Sequence, residues 1–95
     1  MTELTTATID WSGTDEPIAL TNIHILTAMA EMDPNESKGE RSRYVKFGGF
    51  EYPLKYTVGR AIAHATGEER RDFHSDRGEE LLEQLGFETV KKSQE

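Results

Sequence analysis

The sequence predicts a single small α+β domain, with elements in the order helix, strand, strand, helix, helix, strand and a three-stranded antiparallel sheet packed on the helices. Three observations carry this. Gly48-Gly49 separates two runs of aromatic and β-branched residues, the mark of a two-residue hairpin. Val58, Ala61, Ile62 and Ala65 recur at helical spacing behind Pro53. Leu81, Leu82 and Leu85 do the same ahead of Gly86 and a short β-prone run. A chain of 95 residues suits one domain with a modest core. Residues 18–91 hold all of these signals, which leaves 1–17 as a polar, acidic arm or loop and 92–95 as a frayed tail.

The arm has room for one short strand at Ala7 to Trp11, and it carries the only tryptophan. Residues 21–33 read as the first helix, capped by Thr21 or Asn22, with Ile25, Leu26, Met29 and Met32 facing the core. His24 lies beside that stripe with no second ligand at i+3 or i+4. Asp33 to Glu40 carries Pro, Asn, Ser and Gly and reads as a loop. In the hairpin, pairing Phe47 with Phe50 sets Lys46 against Glu51 and Val45 against Tyr52. Val45, Phe47, Phe50 and Tyr52 then share one face, and an opposite-charge pair takes the other. Pro53 ends the second strand and fits the first helical position, where its missing N–H is no loss. Gly67 is the expected stop of that helix. Phe73 is the one apolar residue of the connector that follows, placed to plug the core. Ser75 or Asp76 is expected to cap the last helix, Asp76 with Glu79 in capping-box spacing. Gly86 and Phe87 fit a Schellman ending, and Phe87 to Val90 reads as the third strand, pairing with the hairpin.

The chain has no cysteine, so disulfides, thiol chemistry and Cys-based zinc sites are excluded. No apolar run approaches the roughly 20 residues of a membrane span, and the N-terminus lacks the pattern of a secretory signal. A soluble cytoplasmic protein with no membrane partner is the expectation. His24, His64 and His74 have no spacing that puts two on one helix face, so no metal or other cofactor is expected. Phosphate-loop, dinucleotide and nucleophile-elbow motifs are missing, and Glu79-Glu80 at a helix start suits the helix dipole. These signs point away from an enzyme.

Charge is unevenly spread over a net −7. Residues 1–37 hold seven acids and no Lys or Arg, residues 38–77 carry +3, and residues 78–95 carry −3. Nine of the eleven bases therefore fall in the middle of the chain, where a local patch can bind a polyanion whatever the total. Lys55, Tyr56 and Arg60 lie off the apolar stripe near a helix start. Arg70, Arg71, His74, Ser75 and Arg77 surround a turn beside the next helix start. Together these eight could line one groove. The connector is too long for a helix-turn-helix recognition pair.

The stretch from Phe47 to Val90 resembles a small domain at the N-terminus of many HNH-type, modification-dependent restriction endonucleases and related defence proteins. That family's pattern runs as a short strand with Gly, Tyr-Pro-Pro-Lys, a helix ending in Ala-Thr-Gly, Phe with a Ser/Gly-rich turn, and a final Leu-Gly-Phe. The matching positions here are Tyr52, Pro53, Lys55, Ala65, Thr66, Gly67, Phe73, Leu85, Gly86 and Phe87. Leu54 replaces the second proline, and His74-Ser75-Asp76 replaces the Gly-Gly turn. The family's nuclease domain has no counterpart in these residues. The resemblance implies a non-catalytic DNA-binding module, reading modified DNA in restriction or defence, with a protein partner supplying nuclease activity. Lys55 is the motif residue whose chemistry suits DNA contact.

The expectation is therefore a duplex-DNA-binding domain using Lys55, Tyr56, Arg60, Arg70, Arg71, His74, Ser75 and Arg77. Its Lys and Arg neutralise phosphates, and Tyr56 or His74 meets a base. The alternative is a protein-interaction or regulatory module whose acidic first third docks a basic partner or mimics DNA. Charge reversal at Asp10, Asp15 and Glu16 separates the two.

Overall fold

Eight elements follow one another in the computed structural model, which describes residues 4–13, 16–31 and 43–91. They are β1 (Thr6–Ile9), β2 (Ile18–Thr21), α1 (Asn22–Ala30), β3 (Arg43–Phe47), β4 (Phe50–Pro53), α2 (Leu54–Thr66), α3 (Ser75–Gln84) and β5 (Glu88–Lys91). The class is α+β as expected, but the order is β-β-α-β-β-α-α-β and there are two antiparallel sheets. One is the pair β1-β2, and the other runs β4-β3-β5.

The pair β1-β2 is the correction to the expected order. Thr6, Ala7, Thr8 and Ile9 alternate exposed and buried, and Ala7 and Ile9 reach the core together with Leu20 of β2. The short strand allowed at Ala7 to Trp11 overlaps β1, whereas β2 is not among the expected elements, because it runs straight into α1 and passes for the approach to a helix. The junction is closed by Asn22, whose N–H donates to the Thr5 carbonyl and whose side-chain oxygen accepts from the Thr5 N–H. Thr21 caps α1 in a full capping box, in which His24 stands where Glu or Gln is usual: its Nδ1 accepts from the Thr21 N–H at 3.0 Å. Ile25 and Met29 are buried as expected. Met32, the Asp33–Glu40 loop and the 92–95 tail lie outside the described residues.

The hairpin has the expected register, Phe47 to Phe50, Lys46 to Glu51 and Val45 to Tyr52. Gly48 and Gly49 both have positive φ, 61° and 84°, as a type I′ turn requires. The shared apolar face is only half covered, however. Val45 and Tyr52 are buried, whereas Phe47 and Phe50 are 47% and 52% exposed. β5 pairs with β3 on the other side, placing β3 at the centre of its sheet.

Pro53 precedes the first helical residue of α2 by one position, with φ −58°. Leu54, Val58, Ala61 and Ile62 pack inward, but Ala65 is exposed, against the expected stripe. The last turn of α2 extends past its packing partners before Gly67 ends it at φ 91°. His64, on this turn, meets Glu31 at 2.9 Å. The cap of α3 also differs from expectation: His74, not Ser75 or Asp76, is the N-cap, its Nδ1 accepting from the Asp76 N–H at 3.2 Å. The Asp76 carboxylate is instead held by Arg43 of β3. The Schellman ending is present, with Phe87 N–H on the Leu82 carbonyl and Gly86 N–H on the Glu83 carbonyl. No described helix is long and apolar enough to cross a membrane.

Candidate functional site

The connector between α2 and α3 doubles back along α2, and this brings the candidate residues together. It crosses α2 at Gly59, so closely that a Cβ there would lie 2.7 Å from the Arg70 carbonyl oxygen and 2.7 Å from Arg71 Cγ. A second close approach joins the starts of the two helices. A Cβ on Gly78 of α3 would lie 2.8 Å from Leu54 Cδ2 and 3.0 Å from Phe73 Cε2. Phe73, fully buried, fills the corner between them. Contacts join Tyr56, Arg60 and Arg71 (through the Tyr56 ring and Glu69) and Lys55 (over Phe73) into one strip along α2 and the connector, and His74, Ser75 and Arg77 follow at the start of α3, whereas Arg70 turns away to the N-terminal segment.

Within the strip, two arginines adjacent in sequence do different work. The Arg71 guanidinium stacks over the Tyr56 ring at 4.3 Å. Glu69 sits between Arg71 and Arg60, its two carboxylate oxygens 3.3 Å and 3.6 Å from them. Arg70 reaches towards the N-terminal segment. It lies 5.0 Å over the Trp11 ring, donates to the Gly13 carbonyl at 3.0 Å, and forks onto Asp72 at 2.7 and 3.2 Å. Trp11 Nε1 donates to the same carboxylate at 3.1 Å and its ring packs on Phe73. The hydrogen bond from Arg70, then that from Trp11, holds the Asp72 carboxyl below the usual carboxylate range. Arg43 does the same to Asp76.

Electrostatically, the strip is a lattice of both signs rather than a bare basic patch. Residues 54–80 contain five bases and six acids. Arg60, Arg70, Arg71 and Arg77 each face a carboxylate, that of Glu80 for Arg77 at 3.7 Å. No described carboxylate comes within ion-pair distance of Lys55, whose Nζ lies 5.8 Å over the Phe73 ring. His74 is strongly exposed while it caps α3. The bond it makes uses Nδ1 and leaves Nε2 available to a ligand. Among the described residues, no three His, Asp or Glu side chains gather as a metal site.

Several participants were not among the predicted residues. Trp11 and Asp72 anchor Arg70, and Glu69 bridges two of the cations. Gly59 admits the connector, and its position inside a helical pattern is the available signal, because such a glycine marks a close approach. No protein-family model matches the chain, and no curated protein or solved structure matches it either.

Proposed function

We propose that this domain binds duplex DNA through the strip formed by α2, the connector and the start of α3. The observation that carries the proposal is the pair Arg60 and Arg71 held on either side of Glu69, with Arg71 over the Tyr56 ring and Lys55 over Phe73 without a described carboxylate partner, and with His74, Ser75 and Arg77 at the adjoining start of α3. Lys55 contacts phosphate directly. A second phosphate displaces Glu69 and takes both Arg60 and Arg71, exchanging one anion for another between the same two guanidiniums. Arg71 is held over the Tyr56 ring, so its fork is placed before DNA arrives. Arg70 is left out of the contact set because Trp11, Gly13 and Asp72 occupy it. The likeness of Tyr52, Pro53, Lys55 and Leu85-Gly86-Phe87 to modification-dependent endonucleases favours modified duplexes as the ligand, with cleavage left to a partner protein.

Fluorescence anisotropy with unmodified, 5-methylcytosine and phosphorothioate duplexes, at two salt concentrations, tests this. Lys55→Ala and Arg71→Ala should each weaken binding for all sequences and reduce the salt slope by about one. Glu69→Gln should tighten binding, because the competing anion is gone. Arg70→Ala should leave the slope nearly unchanged. Absence of binding at micromolar protein in low salt overturns the proposal.

A further inference from the structure

All three histidines of the chain stand at helix ends: His24 in the first turn of α1, His64 in the last turn of α2, and His74 at the start of α3. Two of them do the same chemistry. His24 Nδ1 accepts from the Thr21 N–H at 3.0 Å, and His74 Nδ1 accepts from the Asp76 N–H at 3.2 Å. A backbone N–H can only donate, so each Nδ1 presents a lone pair, and the proton of each neutral ring sits on Nε2. Gln, Ser or Asn at such positions would accept at any pH. An imidazole differs, because it gains a proton in the range of about pH 5 to 8.

We propose that His24 and His74 form a proton-operated release of two helix starts. Protonation puts an N–H on Nδ1, donor then faces donor, and both bonds to the backbone are lost. The new charge also sits at a helix N-terminus, where the dipole opposes it. The two surroundings differ. His24 is half-buried, no described carboxylate forms an ion pair with it, and the other polar atom in reach is the Thr21 hydroxyl at 3.3 Å. Thr21 is also the last residue of β2 and pairs with Thr6 of β1, so this release acts on a strand junction as well as on a helix. At His74, Asp76 Oδ2 lies 3.5 Å from Nδ1 and can receive the new N–H. Arg43 of β3 keeps the other oxygen of that carboxylate, and Lys91 of β5 acts on it from farther off. Arg77 and Glu80 of α3 complete the surroundings. The start of α3 thus exchanges a cap for an ion pair, whereas the start of α1 gains no anion. His64 works in the opposite sense, since its proton strengthens the contact with Glu31, the C-cap residue of α1. The His24 contribution to stability is full while its ring is neutral and is lost as pH falls through the imidazole range. The proposal stands independently of DNA binding.

Two-bond proton–nitrogen NMR spectra of the histidine rings, with melting temperatures read by circular dichroism from about pH 8 to about pH 5, test it. At the upper end both His24 and His74 should show the Nε2–H tautomer. As pH falls, the Thr21 and Asp76 amide resonances should move with their own rings. His24→Gln keeps an acceptor that does not titrate. It is compared with its parent in a His64→Gln background, which removes the titrating contact with Glu31. Over the pH range its melting temperature should fall by about 4–8 °C less than that of the parent, the shift expected of one cap. An Nδ1–H tautomer in either ring at the upper end, a Thr21 or Asp76 amide that stays still while its ring titrates, or parallel melting profiles for His24→Gln and its parent overturns the proposal.

Discussion

Gly59→Ala tests how tightly the connector sits on α2, because two effects of opposite sign meet there. Alanine in place of glycine inside a helix ordinarily stabilises by about 1 kcal/mol. Here the new Cβ would lie 2.7 Å from the Arg70 carbonyl oxygen, about 0.7 Å inside the 3.4 Å where ordinary contact begins. The Arg71 side chain, also 2.7 Å away, can swing aside. The carbonyl cannot do so cheaply, because its residue is fixed by Asp72, Gly13 and Trp11, and Phe73 is locked in the core three positions on. Overpacking of this kind costs about 1–3 kcal/mol, so the net expectation is a loss of about 1 kcal/mol. For a domain of this size that lowers the melting temperature by about 4–8 °C, read by circular dichroism. The sole tryptophan lies over Arg70, so its emission should shift in the same variant. A melting temperature that rises by the helix-propensity gain would refute the close approach.

Acid should release the Trp11 clasp. The folded Asp72 carboxyl titrates below its ordinary value near 3.8, so its contribution is full above that value and is lost as pH falls through the lower, folded one. Asp72→Asn should therefore show a shallower fall in melting temperature below about pH 4 than the wild type; equal slopes would remove Asp72 from the clasp. Thr21→Ala deletes the hydroxyl that accepts from the His24 N–H and should cost about 1 kcal/mol in a denaturant titration. A loss near zero would mean that the His24 half of the capping box holds the turn by itself.

What could be read from the sequence was whatever one local rule decides. Gly48-Gly49 sets a turn type, the turn sets the register, and the register places Lys46 opposite Glu51. Gly86-Phe87 follows from helix-end chemistry in the same way. Misreadings arose where the deciding contact is distant in sequence. β1 and β2 are four residues each and are defined by pairing across a loop. The cap of α3 falls on His74, while the Asp76 carboxylate goes to Arg43 from another element. Phe47 and Phe50 fall on the expected face, yet that face continues beyond the edge of the core, which no periodicity in the hairpin can reveal.

The Arg70-Arg71 pair shows why a charge count is a poor guide to a binding surface. In sequence the two read as a doubled phosphate contact inside a segment of +3. In space they part, Arg70 to Trp11 and Asp72, Arg71 to Tyr56 and Glu69. The peptide between them lies on Gly59, so whatever holds Arg70 also positions Arg71. Under the proposed DNA-binding function, the N-terminal segment would act on the strip without touching the ligand, and Trp11→Ala should reveal it. Freed from the clasp, the connector should lose part of its preorganisation, and the proposed DNA binding should weaken although no cation has been removed. Because the phosphate-facing charges are intact in that variant, its salt slope should match that of the wild type while its affinity falls. A drop in both would instead place the clasp among the contacts themselves.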